Sequence, residues 1–149
     1  SSQDKLFMER AIELAKESFD DGEVPVGAVI VQNEVIIGEG KNKVIFENDV
    51  TSHAEINAIR AASKKIKNYR LNDCSMYVTL EPCHMCAKAA VDARMSSVIF
   101  AASEPKTGSI VSIDNFFDKK ELNHNPKYQF GLLKEESSKL LKDFFRLRR

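Results

Sequence analysis

The chain has 149 residues, enough for one domain with a substantial core, and its 22 basic and 22 acidic residues balance. A balanced charge does not indicate a polyanionic partner, although a local basic patch can still bind one. No run approaches the roughly 20 apolar residues of a membrane-spanning helix. Three cysteines argue against a disulfide framework, and the polar start lacks the hydrophobic run of a signal peptide, so we expect a soluble cytoplasmic protein with no membrane partner.

The first half of the chain predicts a helix, a hairpin and a second helix. Apolar residues recur at three- and four-residue steps from Phe7 to Phe19, which describes one helix face, and Gly22 is well placed to cap its end. Two β-rich runs follow in "VPVGAVIVQNEVIIGEG" and form a hairpin around Asn33-Glu34. A polar loop, "KNKVIFENDVTS", then leads to a helix from about 53 to 66.

The second half alternates strands with helices. We predict, in chain order, a strand at 74–80, a helix from Pro82 to about Ala93, a strand at 97–103, loops with a short helix near "DNFFDKK" over 104–127, a last strand in "YQFGLL", and a helix from about 134 to the end. A hairpin followed by strand–helix–strand units indicates an α/β fold in which one mixed sheet carries helices on both faces.

A metal site is indicated by residues from two of these helices. Cys83 and Cys86 have the spacing of a zinc-ligand pair at the start of a helix, and His53 supplies a third ligand type that zinc accepts. Three protein ligands rather than four are typical of a catalytic zinc ion, which keeps one position open for water. No spacing recommends any of the remaining candidates for a fourth ligand, which are His84, His124 and Cys74.

Glu55 is the predicted proton carrier of this site. Residues two apart on a helix point about 200° away from each other, so His53 and Glu55 converge only on an ion beyond the helix N-terminus. The cysteines also begin a helix, and two helix N-termini aimed at one Zn²⁺ would favour thiolates and an ionised water. Glu55 would move protons between that water and the substrate, a role worth about 10²- to 10⁴-fold in rate.

Other interpretations of the same residues remain open. Ser52 and Glu55 also fit a capping box, in which the carboxylate reaches back to the Ser52 N–H. A Cys-x-x-Cys pair can be a redox centre, although the surroundings typical of thioredoxin-like proteins are missing here. Together, however, His-x-Glu and the later Pro-Cys-x-x-Cys form the signature of the zinc deaminases.

The chain resembles the bacterial tRNA-specific adenosine deaminases (the TadA family), within the cytidine-deaminase-like superfamily. The resemblance rests on "EVPVGAVIV", "SHAEINAI", "YVTLEPCHMCAKA", "VIFAA", "KTG" and "FFR", in the expected order over nearly the whole length. It implies a single deaminase domain at 1–149, a three-layer α/β/α sandwich with a five-stranded sheet, one Zn²⁺ per subunit, a homodimer and no nucleotide cofactor. The implied reaction is hydrolytic deamination of the wobble adenosine to inosine, with the tRNA anticodon stem-loop as partner.

The resemblance also implies substrate-binding residues. Asn42 matches a family asparagine near the base and sugar, while Glu104 and Lys106 fall where the family has an acid near the sugar and a lysine near phosphate. The family more commonly has Asp at the position of Glu104. The extra methylene of Glu displaces the carboxylate from where the family's acid would lie. Phe145 and Arg146, in "FFR", are expected to stack on loop bases and contact phosphate. Phe144 continues an apolar helical stripe, so we expect it in the core.

Two rival functions follow from the same motifs. A zinc deaminase of a free base or nucleotide, such as guanine, cytidine or deoxycytidylate, would share the metal site but would not need the aromatic and basic C-terminal segment. A metal-stabilised RNA-binding module without catalysis is the second rival, and the presence of Glu55 speaks against it.

Overall fold

The computed structural model describes residues 2–148, which contain five strands and five α-helices. The helices are α1 Ser2–Asp20, α2 Val44–Glu47, α3 Ala54–Ile66, α4 His84–Asp92 and α5 Lys134–Leu147. The strands are β1 Gly27–Gln32, β2 Val35–Lys41, β3 Cys74–Leu80, β4 Ser97–Ala102 and β5 Lys127–Phe130. A single 3₁₀ turn, Phe116–Asp118, lies in the long connection between β4 and β5.

The strands form one mixed sheet in the order β2-β1-β3-β4-β5. β1 pairs antiparallel with both β2 and β3, whereas β3–β4 and β4–β5 are parallel pairs. The predicted hairpin is confirmed: Asn33 and Glu34 both have positive φ angles, 51° and 65°, as the tight two-residue turns that match strand twist require.

Helices cover both faces of the sheet, as the sequence predicts. Alternate residues of β1 enter different apolar clusters, because successive side chains of a strand point to opposite faces. Val29 and Val31 pack with residues of α1, whereas Ala28 and Ile30 pack with residues of α3 and α4. α5 lies beside α1, where Phe144 contacts Phe19 with ring centroids 5.8 Å apart. The three-layer α/β/α sandwich is confirmed.

Three local features differ from the sequence prediction. The segment predicted as a polar loop contains the short helix α2. α4 begins at His84, after Pro82 rather than at it, and β5 ends at Phe130, short of the predicted "GLL". Arg149, which the predicted last helix includes, lies outside the described residues. Within residues 2–148 no helix combines the length and apolar composition that crossing a membrane requires.

One edge of the sheet collects the elements that carry the predicted site. Because β1 runs antiparallel to β3, the start of β1 meets the ends of β2, β3 and β4 at this edge. α3 and α4 both begin there, after connections from β2 and β3. Side chains at the two helix N-termini are therefore brought together by strand order, although about 30 residues separate them in the chain.

Small residues allow α3 to lie directly on β2. Gly38 and Gly40 face the helix residues Ala54, Ala58 and Ala62, all of which are fully buried. A Cβ atom on Gly40 would lie 2.2 Å from the carbonyl oxygen of Ala54 and 2.4 Å from the backbone nitrogen of Ala58. These are main-chain atoms, so a side chain there could be accommodated only by moving the helix, including its N-terminus at the site.

We predict that Gly40→Ala lowers the free energy of unfolding by about 3 kcal/mol, because a methyl group would overpack a rigid helix–strand contact. The matched control is Val35→Ala on the same strand, whose side chain is exposed and whose loss should change stability by no more than about 0.5 kcal/mol. Urea unfolding followed by circular dichroism measures both variants. Equal stability of the two would contradict the close packing of α3 on β2.

Candidate active site

Three side chains lie close together at the sheet edge where α3 and α4 begin, and each offers an atom that can bind a metal ion. His53 and Cys83 are the N-cap residues of α3 and α4, and Cys86 lies in the first turn of α4. Nδ1 of His53 lies 3.7 Å from Sγ of Cys83 and 3.5 Å from Sγ of Cys86. A nitrogen and a sulfur bound to one tetrahedral zinc ion lie about 3.6 Å apart, given bonds of about 2.05 Å and about 2.3 Å. The set therefore fits a tetrahedral metal ion.

The ligand set has three members within the part of the chain that the structure describes. No other group of three or more His, Cys, Asp or Glu side chains in residues 2–148 is close enough to share an ion. The other candidates have different partners: Nε2 of His84 lies 3.1 Å from Asp114, Nε2 of His124 lies 2.6 Å from the Met95 carbonyl oxygen, and Cys74 is buried in β3. A tetrahedral ion held by three ligands keeps one position for water or substrate.

The thiols are in an environment that favours a negative charge on one of them. A hydrogen bond from Cys86 lowers the pKa of the Cys83 thiol to about 3, against the opposing effect of burial and with further help from His53. The same interaction raises the pKa of Cys86, because a second thiolate would lie against the first and in a buried position. A cation between the two sulfurs would relieve this repulsion, since coordinated thiols are deprotonated.

Glu55 is a buried carboxyl group next to these ligands. Its side chain is 4% exposed, and burial raises its pKa to about 7, while its own N–H and the charge of His53 act in the opposite direction. The alternative capping box is not formed. His53 is the N-cap residue, the Ser52 N–H donates to the Asp49 carbonyl oxygen at 3.1 Å, and the Ser52 hydroxyl donates to Glu47. An acid that titrates near neutral pH can both accept and donate protons.

A cavity of about 350 Å³ opens above the ligand set. Its walls come from the start of β1, the end of β2 with α2, the N-termini of α3 and α4, and the loop after β4. The lining residues are Glu23, Val24, Val26, Asn42, Val44, Ile45, His53, Ala54, Glu55, Leu80, Glu81, Cys83, Glu104 and Thr107. A mainly apolar surface that also carries polar groups is typical of a small-molecule site.

Asn42 and Glu104 line this cavity, and the side chain of each also makes hydrogen bonds to nearby backbone groups. The Asn42 side chain donates to the Val24 carbonyl oxygen at 3.1 Å and accepts from the Val44 N–H at 3.3 Å. Oε1 of Glu104 accepts from the Lys106 N–H at 2.9 Å. Each side chain keeps unused hydrogen-bonding capacity, because an amide has two N–H groups and each oxygen has two lone pairs.

The other predicted contact residues lie outside the cavity. Lys106 is exposed on the loop after β4, and Arg146 is exposed on α5, where it pairs with Asp143 at 3.2 Å. Phe145 is 50% exposed, whereas Phe144 is 7% exposed, which confirms the core position expected for Phe144. The Arg148 guanidinium donates to the carbonyl oxygen of Gly22, next to the lining residue Glu23. The end of α5 therefore lies near the cavity mouth.

Two buried acids in the cavity wall were not singled out from the sequence. Glu23, 2% exposed, accepts the N–H groups of Ile45 at 3.0 Å and Phe46 at 2.8 Å, and so fixes α2. Glu81, 3% exposed, accepts from the loop after β4. Its donors are the N–H groups of Glu104, Ile110, Val111 and Ser112 and the Ser112 hydroxyl. The sequence did contain a sign of both residues: Glu23 stands at the start of the apolar run "EVPVGAVIV", and Glu81 lies within "YVTLEPC".

Electrostatics keep Glu81 ionised although it is buried. Burial alone would raise its pKa, but the Ser112 hydroxyl and the backbone N–H groups outweigh that effect and lower the pKa. The loop also has no room for a larger residue at Gly108, where a Cβ atom would lie 2.3 Å from the Glu81 carboxyl carbon. Glu81 thus holds in place the loop that carries Glu104 and Lys106.

Comparisons with known proteins identify relatives of this chain. A family model described as MafB19-like deaminase matches residues 2–149. The chain is 47% identical over 150 residues to the tRNA-specific adenosine deaminase of Haemophilus influenzae, with 100% of this chain and 87% of that protein covered. It is 44% identical over 142 residues to the tRNA-specific adenosine deaminase of Aquifex aeolicus, with 95% and 93% covered.

Solved structures share the fold. A structure from work on A-to-I editing by tRNA:A34 deaminases at the wobble position of transfer RNA has a TM-score of 0.88 at 40% identity, covering 91% of this chain and 98% of that chain. The guanine deaminase from Nitrosomonas europaea has a TM-score of 0.77 at 22% identity, covering 94% of this chain and 83% of that chain. The second similarity shows the fold alone.

We predict that Glu81→Gln lowers the free energy of unfolding by about 3 kcal/mol, because an amide nitrogen in place of either oxygen faces buried N–H donors. The exposed Glu121→Gln serves as the matched control and should leave stability within about 0.5 kcal/mol of the original. Urea unfolding measures stability, and limited proteolysis reports on the loop at 104–112. A loop that remains equally protected in Glu81→Gln would contradict the anchoring role.

Proposed function

The chain belongs to the tRNA-specific adenosine deaminase family, and we propose that it deaminates adenosine to inosine hydrolytically at the wobble position of a tRNA anticodon. The observation that carries this proposal is the buried Glu55 beside a three-member ligand set, in the wall of a mainly apolar cavity. The relatives' activity on tRNA adenosine supports the choice of substrate.

We propose that the metal is zinc and that His53, Cys83 and Cys86 hold it. Two sulfurs and an imidazole nitrogen at the separations described above are a donor set that zinc accepts and that hard cations such as Mg²⁺ do not prefer. Zinc held there supplies the Lewis acidity that makes water a better nucleophile near neutral pH.

Glu55 would carry the protons of the reaction. Addition of water to C6 of adenine places a proton on N1, and loss of ammonia requires a further proton on the leaving nitrogen. Glu55 would accept a proton from water as it adds to C6 and deliver that proton to N1. It would then accept the proton of the added hydroxyl group and deliver it to the departing amine, which leaves as ammonia as the C6 carbonyl forms. Its position in the cavity wall, shielded from bulk solvent, supports this role.

The remaining predicted residues are proposed to bind the nucleotide and its surroundings. Asn42 would hydrogen-bond the base or sugar and Glu104 a sugar hydroxyl, because both line the cavity with hydrogen-bonding capacity to spare. Lys106 and Arg146 would bind phosphates, and Phe145 would stack on a loop base. An anticodon loop suits this site, because an unpaired base leaves its stack more easily than one in a duplex. The homodimer, the cytoplasmic location and the single domain at 1–149 stay predictions.

We predict that Glu55→Gln lowers the rate of inosine formation by at least about 10²-fold, since the amide cannot shuttle protons. Inosine is measured in tRNA incubated with the purified protein, together with zinc content and RNA affinity, both of which should persist. Glu34→Gln, exposed in the β1–β2 turn, is the matched control with full activity. Activity retained in Glu55→Gln would refute the mechanism, and turnover of free guanine or cytidine without inosine in tRNA would refute the substrate.

We predict that Cys83→Ala loses bound zinc, because two remaining protein ligands hold the ion weakly. Elemental analysis should give about one zinc per chain for the original protein and nearly none for the variant. Cys74→Ala is the matched control: it also removes a thiol, but one that is buried in β3 away from the ligand set. Stoichiometric zinc in Cys83→Ala would show that Cys83 is not a ligand.

A further inference from the structure

A second depression adjoins the cavity and takes no part in the site described so far. Its volume is about 510 Å³, and it is lined by Asp21, Glu23, Lys41, Lys43, Ile45 and Phe46. Glu23 and Ile45 line both spaces. The depression therefore adjoins the cavity on its α2 side.

Phe46 presents an aromatic ring to solvent on the far wall of this depression. Its side chain is 77% exposed, yet its backbone is held firmly, because the buried carboxylate of Glu23 accepts its N–H at 2.8 Å. Glu47 extends this support by accepting the hydroxyl of the fully buried Ser52. An aromatic ring on a fixed backbone loses little conformational entropy when a flat ligand stacks on it.

The depression is lined by two lysines and two acidic residues, and the two lysines differ in their partners. Lys41 is neutralised by Glu17 and Asp21, both at 3.3 Å. Nζ of Lys43, in contrast, lies 5.8 Å from the centre of the Phe46 ring, and no carboxylate within residues 2–148 forms an ion pair with it. An exposed ring with a cation beside it is the combination with which proteins bind single-stranded nucleic acid: the base stacks and the phosphate pairs.

We propose that this depression binds the nucleotide next to the target adenosine, with its base stacked on Phe46 and its phosphate paired with Lys43. The proposal rests on the proposed function, which puts adenosine in the adjoining cavity. An adjacent nucleotide is the occupant that fits, because it is covalently tied to the one in the cavity and carries both a flat base and a negative charge. Recognition by stacking tolerates any base, so this contact would add affinity without strict sequence selection.

The first test measures kinetics on a synthetic RNA hairpin with adenosine at the wobble position of its loop. Phe46→Ala should raise KM about fivefold to a hundredfold, the range for loss of one stacked base, and leave kcat unchanged, because the contact is the same in the ground and transition states. Phe46→Tyr should restore KM. An unchanged KM in Phe46→Ala would overturn the proposal.

The chain offers a matched control in Tyr69, which is 72% exposed and has the Arg70 guanidinium carbon 5.9 Å from its ring centre. Tyr69 lies in the connection before β3, whereas Leu80, at the other end of β3, lines the cavity. Tyr69→Ala therefore removes an equally exposed ring with a neighbouring cation at the opposite end of the sheet. It should leave KM unchanged, and a KM increase equal to that of Phe46→Ala would overturn the proposal.

The second test asks whether Phe46 acts on a neighbouring base. Hairpins that lack the base on the 5′ or the 3′ side of the adenosine are compared in the original protein and in Phe46→Ala. Removal of the contacted base should weaken binding by the original protein and have no further effect in Phe46→Ala, since contacting groups are non-additive. Full additivity at both positions would overturn the proposal, as would a shift of the monomer–dimer equilibrium in Phe46→Ala, which would make this surface a contact between copies of the chain.

Lys43→Gln tests the phosphate contact separately. The plot of the logarithm of the hairpin binding constant against the logarithm of salt concentration should flatten by about 0.7, the value for one phosphate of a single strand. These binding measurements use proteins that also carry Glu55→Ala, so they do not depend on turnover. Inosine absent from every reaction, including that of the original protein, would refute the proposed function, while an unchanged salt slope would refute the phosphate contact alone.

Discussion

The site depends on two helices that give up their N-terminal caps to it. His53 and Cys83 occupy the N-cap positions of α3 and α4, and neither side chain forms a capping hydrogen bond. An N-cap side chain normally satisfies one of the free N–H groups of the first turn. Here those side chains turn to a shared point instead, and the partial positive charge of each helix end remains directed at the thiols. Each helix lacks the stability that a capping side chain would add, and the uncapped N-termini favour a thiolate between them.

Three buried carboxyl groups in the same cavity wall show how environment decides what an acid does. Glu23 and Glu81 are surrounded by N–H donors from segments distant in sequence, and their oxygens are committed to holding α2 and the loop after β4. Glu55 is equally buried but has few donors, so burial dominates and its pKa rises toward neutrality. Hydrogen bonds to the charged form and desolvation act in opposite directions, and their balance separates structural acids from one available to move protons.

The sequence predicted what depends on local spacing and missed what depends on distant partners. Periodicity found the helices, the Asn33-Glu34 turn found the hairpin, and the apolar stripe of α5 separated buried Phe144 from exposed Phe145. Helix α2 was missed because the N–H groups of Ile45 and Phe46 are capped by Glu23, which lies 22 and 23 residues earlier in the chain. The anchoring role of Glu81 was missed for the same reason: its donors come from 104–112, a segment without periodicity. Side-chain contacts across such distances leave no repeat in the sequence.

The proposed function divides chemistry and RNA recognition between different parts of the molecule. The ligand set and Glu55 stand on the ends of helices packed against the sheet, where close contacts such as Gly40 with Ala54 leave little freedom. The cavity encloses only a small part of an RNA molecule, so further contacts must come from around its mouth. The exposed aromatic and basic side chains lie there on α2, on the loop after β4 and at the end of α5. Rigid elements therefore hold the groups proposed to react. The surface segments are anchored by the buried carboxylates of Glu23 and Glu81 and by the exposed hydrogen bond from Arg148 to Gly22, so their side chains can vary without disturbing the proposed site.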